Sequence, residues 1–165
     1  MNQSSTRSTA LFTNDRYPKP RYIMSDCPIH PNLFTWPAEN PSLLGGLCEH
    51  CGEVSFPVQS SCRSCSGSGS SVIELGDRGV LWTWTVQNFL PKPPYVTDQT
   101  PATFKPYGVG YIEMPAGVRV ESRLLTADAD KLKIGMPMQL VIEPFSANDR
   151  GGHNLCFAFD IVEND

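Results

Sequence analysis

The first clean alternation of apolar and polar positions comes midway along the chain, at Val80-Leu81-Trp82-Thr83-Trp84-Thr85-Val86. Val80, Trp82, Trp84 and Val86 share one face of a period-two pattern and Leu81, Thr83 and Thr85 the other, which predicts a β-strand. The tryptophans alternate with threonines as a buried face would. Four more strands are predicted at 107–113, 118–125, 138–143 and 155–161, with Met138, Leu140 and Ile142, then Leu155, Phe157, Phe159 and Ile161, pointing inward. Met114-Pro115-Ala116-Gly117 carries hairpin-turn chemistry, and the Gly135 and Pro137 pair halts a short helical turn begun near Asp128. Five antiparallel strands in about 85 residues are too few for two full sheets and suit a closed OB-type barrel.

Upstream the pattern changes. Residues 1–20 show no apolar period and are expected to be a disordered tail. Over 21–46, Pro28, Pro31, Pro37 and Pro41 are interspersed with Ile23, Met24, Ile29, Leu33, Phe34, Trp36, Leu43 and Leu44. Proline at that density excludes a long helix, leaving room for one or two turns near 41–47. Eight large apolar side chains without regular structure of their own need a surface to cover them. The segment is therefore read as a partner-docking arm, with packing on its own barrel as the alternative. Two long insertions, 89–106 and 146–154, break the strand rhythm, and loops of such length are more often functional or disordered than incidental.

Composition narrows the class. The 165 residues include 15 prolines and 13 glycines, as expected of short strands and many turns. No apolar run approaches the roughly 18 residues of a spanning helix, so no membrane partner is expected. With 13 basic and 17 acidic residues the net charge is −4, which offers no bulk attraction to nucleic acid. The N-terminus MNQSSTRSTALF lacks the apolar core of a secretory signal, and a reducing cytoplasm is expected.

The cysteines carry the strongest chemical signal. Cys48-Glu49-His50-Cys51 and Cys62-Arg63-Ser64-Cys65 are two C-x2-C turns ten residues apart. Each places two thiolates a tetrahedral edge apart, and together they complete an S4 site suited to structural Zn²⁺. Rubredoxin-like iron and a redox dithiol are the alternatives. Gly52 suits the position after the first knuckle; Ser66-Gly67 follows the second less neatly. Residues 47–75 are read as a zinc ribbon and 76–165 as the OB-fold domain. His50 competes poorly as a ligand with four cysteines present. Cys27 and His30 have half a site's spacing and no second half, and Cys156 reads as a small strand residue.

The order of parts resembles the DUF35 family of zinc-ribbon OB-fold proteins over roughly 33–162: LCEHCGEVSFPVQSSCRSC, then RGVLWTWTV, a proline-rich loop ending PYGVGYIEM, and RLLTADADKLKIGMPMQLVIEPF. The resemblance implies a mainly β fold, with a rubredoxin-like zinc ribbon followed by a five-stranded OB barrel; before Cys48, where members of the family usually carry a helical pair, this chain departs from the pattern with its proline-broken, extended N-terminal arm. It implies an accessory subunit in a hetero-oligomer with an acyl-CoA enzyme, a thiolase above all, or a hydratase or aldolase. In that setting coenzyme A is a co-substrate of the complex. Lys92 and Lys105 are then candidates to meet its phosphates, and Tyr95, Phe104 and Tyr107 to line a pantetheine passage. No catalytic residue is assigned, because thiolysis needs a Cys nucleophile, a His base and an acid that the metal-engaged cysteines cannot supply. A nucleic-acid-binding OB module is the competing reading.

Overall fold

The computed structural model describes residues 22–95 and 99–162, so the predicted tail at 1–20 lies outside the described residues. Nine strands and no helix are found among them: β1 (Cys27–Pro28), β2 (Leu43–Cys48), β3 (Val54–Ser55), β4 (Ser70–Gly76), β5 (Arg78–Gln87), β6 (Tyr107–Glu113), β7 (Arg119–Leu124), β8 (Pro137–Ala147) and β9 (His153–Ile161). A three-stranded sheet in the order β3-β2-β4 forms the ribbon. The larger sheet runs β9-β7-β6-β5-β8 and closes through a β8–β9 pairing, with β1 added in parallel to β9. This is the five-stranded barrel expected from the alternation pattern. Its seam is the short parallel contact Leu124–Phe159, tied by the Leu125 N–H donating to the Phe159 carbonyl at 3.0 Å.

Inside the barrel, Leu81, Ile112, Val120, Met138, Leu155 and Phe159 are fully buried. The inward positions predicted for β8 and β9 are largely found: Met138, Leu140, Ile142, Leu155 and Phe159 are in the core, with Phe157 and Ile161 packed against it.

The phase expected for β5 is corrected. Leu81 is fully buried, while Val80 and Trp82 are 44% and 45% exposed. Opposite β6, Leu81 faces Ile112 and Thr83 faces Tyr111, so Trp82 is an extra residue in the ladder. That bulge shifts the period-two pattern by one position. Gly79 and Leu81 face inward before it, and Trp84 packs on the core after it. Within β8 a second irregularity falls between Pro144 and Ser146, where proline's missing N–H is tolerated. It carries the strand to Ala147, beyond the predicted end at 143, and leaves Phe145 47% exposed.

Residues 41–47 hold no helical turn; β2 begins at Leu43 and runs into Cys48. Four of the eight apolar side chains upstream find a core in their own chain. Phe34 and Leu43 are buried in one cluster with the barrel residues, and Leu33 and Trp36 pack against it. Tyr22 sets its ring edge-on to Trp36 at 4.5 Å and donates its hydroxyl to the Ile142 carbonyl. The Ile29 N–H donates to the Leu155 carbonyl, Asn148 Nδ2 to the Ser25 carbonyl, and the His153 N–H to Asp26 Oδ1. Ile23, Met24 and Ile29 remain exposed. Prolines had excluded a helix but not burial, because an extended chain satisfies its donors against a barrel edge as readily as against a partner.

Candidate metal centre

Both cysteine pairs sit where the ribbon's chain reverses. Cys48 ends β2, and the Gly52 N–H returns to the Cys48 carbonyl at 3.0 Å; in the second turn the Ser66 N–H returns to the Cys62 carbonyl at 2.9 Å. The two knuckles are near copies. Gly52 takes φ 75° and Ser66 φ 59°, both left-handed. The structure thus places Ser66 in the role of Gly52, and Gly67 serves another purpose. A Cβ on Gly67 would lie 2.6 Å from the His50 ring, whose Nε2 is 3.0 Å from the Ser68 carbonyl. His50 therefore ties the first knuckle to the second through the backbone and is not needed as a ligand. Left-handed backbone costs a non-glycine residue about 1–2 kcal/mol. Ser66→Gly is expected to raise the unfolding free energy of the metal-loaded protein by about 0.5–1 kcal/mol in urea titration, with metal content unchanged.

The four sulfurs converge. Cys48 Sγ lies 3.7 Å from Cys65 Sγ, Cys51 Sγ lies 3.6 Å from Cys62 Sγ, and all four are within 4.8 Å of one another. A tetrahedral ion with Zn–S bonds of about 2.3 Å has an S–S edge of about 3.8 Å. Their electrostatics also call for a cation. Backbone N–H groups of Cys51 and then His50 hold the Cys48 thiol down at about 7. At Cys51 the Glu53 N–H pulls the same way, yet the neighbouring thiols Cys65, Cys62 and Cys48 push it up to about 12. Amides stabilise one thiolate, but four crowded together need a positive charge among them. The four cysteines are positioned to hold a metal ion, and an all-thiolate tetrahedral set fits Zn²⁺ in a structural role. No other group of metal-ligating side chains is found among the described residues. Cys27 instead meets Asn148 and Asn154 amides at 3.7 Å, and His30 Nδ1 meets the Pro31 carbonyl.

Of the residues predicted to meet coenzyme A, three rings come together. Tyr95 lies nearly parallel to Tyr107 with centroids 6.5 Å apart, and Phe104 sets its ring 6.0 Å from Tyr107. Lys92 and Lys105 are exposed. Sequence reasoning overlooked Arg123, whose guanidinium lies 5.3 Å over the Tyr107 ring and pairs with Glu143 at 3.6 Å. The alternation Arg119-Val120-Glu121-Ser122-Arg123 was the available signal, since it puts every charge of β7 on the outer face.

Comparison with known proteins follows these two parts of the fold. Residues 35–71 match the family model of the ChsH2 rubredoxin-like zinc ribbon domain, and residues 72–143 that of the ChsH2 C-terminal OB-fold domain. The benzoylsuccinyl-CoA thiolase subunit BbsA of Thauera aromatica is 35% identical over 97 residues, which span 58% of this chain and 61% of that subunit. A DUF35 domain-containing scaffold protein of Methanocaldococcus jannaschii is 27% identical over 128 residues, 76% of this chain and 86% of the relative. Among solved structures, the Ltp2-ChsH2(DUF35) aldolase superposes with a TM-score of 0.53 at 22% identity, over 73% of this chain and 84% of that one, a likeness of fold.

Proposed function

The chain belongs to the DUF35 family of zinc-ribbon OB-fold proteins, and from that premise we propose that it is a non-catalytic accessory subunit of a thiolase-type acyl-CoA enzyme. The observation that carries this reading is the commitment of its cysteines and histidines. Four thiols are gathered for a metal. Burial pushes the Cys156 thiol up, away from the thiolate a nucleophile requires. His30 faces the Pro31 carbonyl, His50 the Ser68 carbonyl and His153 the Asp26 carboxylate. Among the described residues no cysteine is hydrogen-bonded to a histidine, so carbon–carbon cleavage by thiolysis falls to another polypeptide.

The substrate reading favoured by the similarity to BbsA is thiolysis of a benzoylsuccinyl-CoA-like β-ketoacyl-CoA; an acyl-CoA hydratase or aldolase complex is the alternative. Coenzyme A would approach along the insertion after β5. There Tyr95, Phe104 and Tyr107 offer an apolar wall for pantetheine, and Lys92 and Lys105, with Arg123 nearby on β7, offer positive charge to phosphates. The arm over 21–46 contributes to docking through the part it leaves outside, Ile23, Met24 and Ile29.

The test is purification of the tagged chain from its native host and separately in isolation. The isolated chain is expected to show no thiolase, hydratase or aldolase turnover. Material from the host should carry an acyl-CoA enzyme, identified by mass spectrometry, that cleaves a β-ketoacyl-CoA with free coenzyme A. Robust turnover by the isolated, highly purified chain would refute the proposal.

A further inference from the structure

Each knuckle leaves one of its two cysteines outside. Cys48 closes β2, is 5% exposed and donates its N–H to the Glu53 carbonyl. Cys62, at the matching place in the second knuckle, is half-buried and donates its N–H to the Gly67 carbonyl. Cys51 and Cys65, the second cysteine of each turn, stand one residue before the left-handed Gly52 and Ser66 and are exposed. All four sulfurs lie within 4.8 Å of one another, so their tetrahedron has one exposed edge, from Cys51 to Cys65, and that edge joins the two knuckles. The other two cysteines belong to the barrel: Cys27 on β1, against the Asn148 and Asn154 amides, and Cys156 on β9, half-buried.

We propose that the exposed edge from Cys51 to Cys65 is an oxidation site, at which a hydroperoxide releases the metal and leaves the two knuckles joined by one disulfide. The inference rests on the metal centre described above and is independent of the accessory-subunit reading. A cysteine is susceptible when it is held as thiolate, is open to solvent and has a second cysteine at hand to resolve it. Metal binding requires all four ligands to be deprotonated, so the first condition does not distinguish them. Exposure does, and it selects Cys51 and Cys65. In the first step one of these sulfurs attacks the peroxide: an S–O bond forms, the O–O bond breaks and hydroxide leaves. The second sulfur then attacks the sulfenic acid, forming the S–S bond and releasing a second hydroxide. Two protons convert the hydroxides to water. The sulfur pair loses two electrons and the peroxide gains them, so no further reactant is required. Cys48 and Cys62 alone are half of a structural donor set, and the metal is lost to solvent. Because the new bond spans the knuckles, it holds the second turn to the first, as His50 does through the Ser68 carbonyl. A dithiol reductant together with zinc restores the original centre.

The full, zinc-loaded chain is titrated with hydrogen peroxide, zinc release is followed with a chromogenic chelator, and the cysteines are mapped by differential alkylation and mass spectrometry. Release of about one zinc per disulfide formed is expected, with Cys51 bonded to Cys65 and with Cys48 and Cys62 alkylated as free thiols. The double variant Cys51→His/Cys65→His, whose two cysteines and two histidines still suit zinc, is expected to keep its metal at the peroxide concentration that empties the wild type. Cys62→His, which leaves the exposed edge intact, is expected to lose its metal as the wild type does. Any first disulfide other than the one between Cys51 and Cys65 would overturn the assignment, as would zinc retained while Cys27 is oxidised. Where a variant fails to load zinc, the wild-type disulfide map alone decides.

Discussion

Stripping the metal with a chelator, or replacing one ligand by Cys62→Ala, is expected to unfold β2, β3 and β4 while the barrel strands keep their hydrogen bonds. The ribbon sheet is three short strands, of which β3 has two residues. Apart from the metal it is held by Leu43 and Leu75 reaching into the common core, by Val54 and Ile73 packing against that core, and by Phe56 meeting Phe157 edge-on at 5.4 Å. Structural zinc in small ribbons supplies about 10–16 kcal/mol of apparent binding free energy, well beyond what a few apolar contacts replace. Because Phe34, Leu43 and Leu75 share the barrel's cluster, the barrel should survive with a lowered melting temperature. Hydrogen exchange reads both outcomes at once. Amide protection should vanish over 43–48 and 70–76 and persist at Ile112 and Leu140. Protection unchanged over the ribbon after metal loss would show that packing alone holds it.

The second large effect separates two adjacent side chains. Leu81→Ala is expected to destabilise the protein by about 2–5 kcal/mol, since a fully buried leucine leaves a cavity its neighbours cannot close. Trp82→Ala removes a larger side chain and should cost only about 1 kcal/mol, the worth of an exposed cation–π contact and an edge-on aromatic pair. Urea unfolding of the two variants decides the point. The opposite ranking would mean that the tryptophan, and not Leu81, faces the core.

That pair also shows where sequence reading stops. Period-two alternation located β5 closely, because side chains on a strand must alternate whatever lies around them. It could not assign the faces, since one inserted residue exchanges inside for outside. The insertion is visible only in the partner strand, where Leu81 and Thr83 face the consecutive residues Ile112 and Tyr111. The proline-rich segment shows the same limit. Its composition excluded helix, a local property of the pyrrolidine ring. Whether Phe34 and Leu43 would be covered by their own barrel or by another protein depended on surfaces assembled from residues far along the chain.

Along the loop after β5, the sequence singled out Tyr95, Phe104 and Tyr107, whose rings the structure brings together, and not Arg123, which lies over Tyr107. Tyr95, Phe104 and Tyr107 stand in or beside one loop, so proximity in the chain suggested them. Arg123 arrives from the neighbouring strand by hydrogen-bonded register, with Val109 of β6 as its cross-strand partner. Sequence spacing does not report that register.

By itself, the sequence determined the metal centre and the class of fold. Two C-x2-C turns close over distances set by covalent geometry, and regular alternation with turn residues between leaves little but a small antiparallel barrel. Only the tertiary structure decided which face of β5 is core, that the arm lies largely on its own chain, and that Trp82 meets Arg119 outside the barrel. Those outcomes turn on strand register and on burial, and both are set by contacts between residues distant in sequence, whose pairing no local pattern encodes.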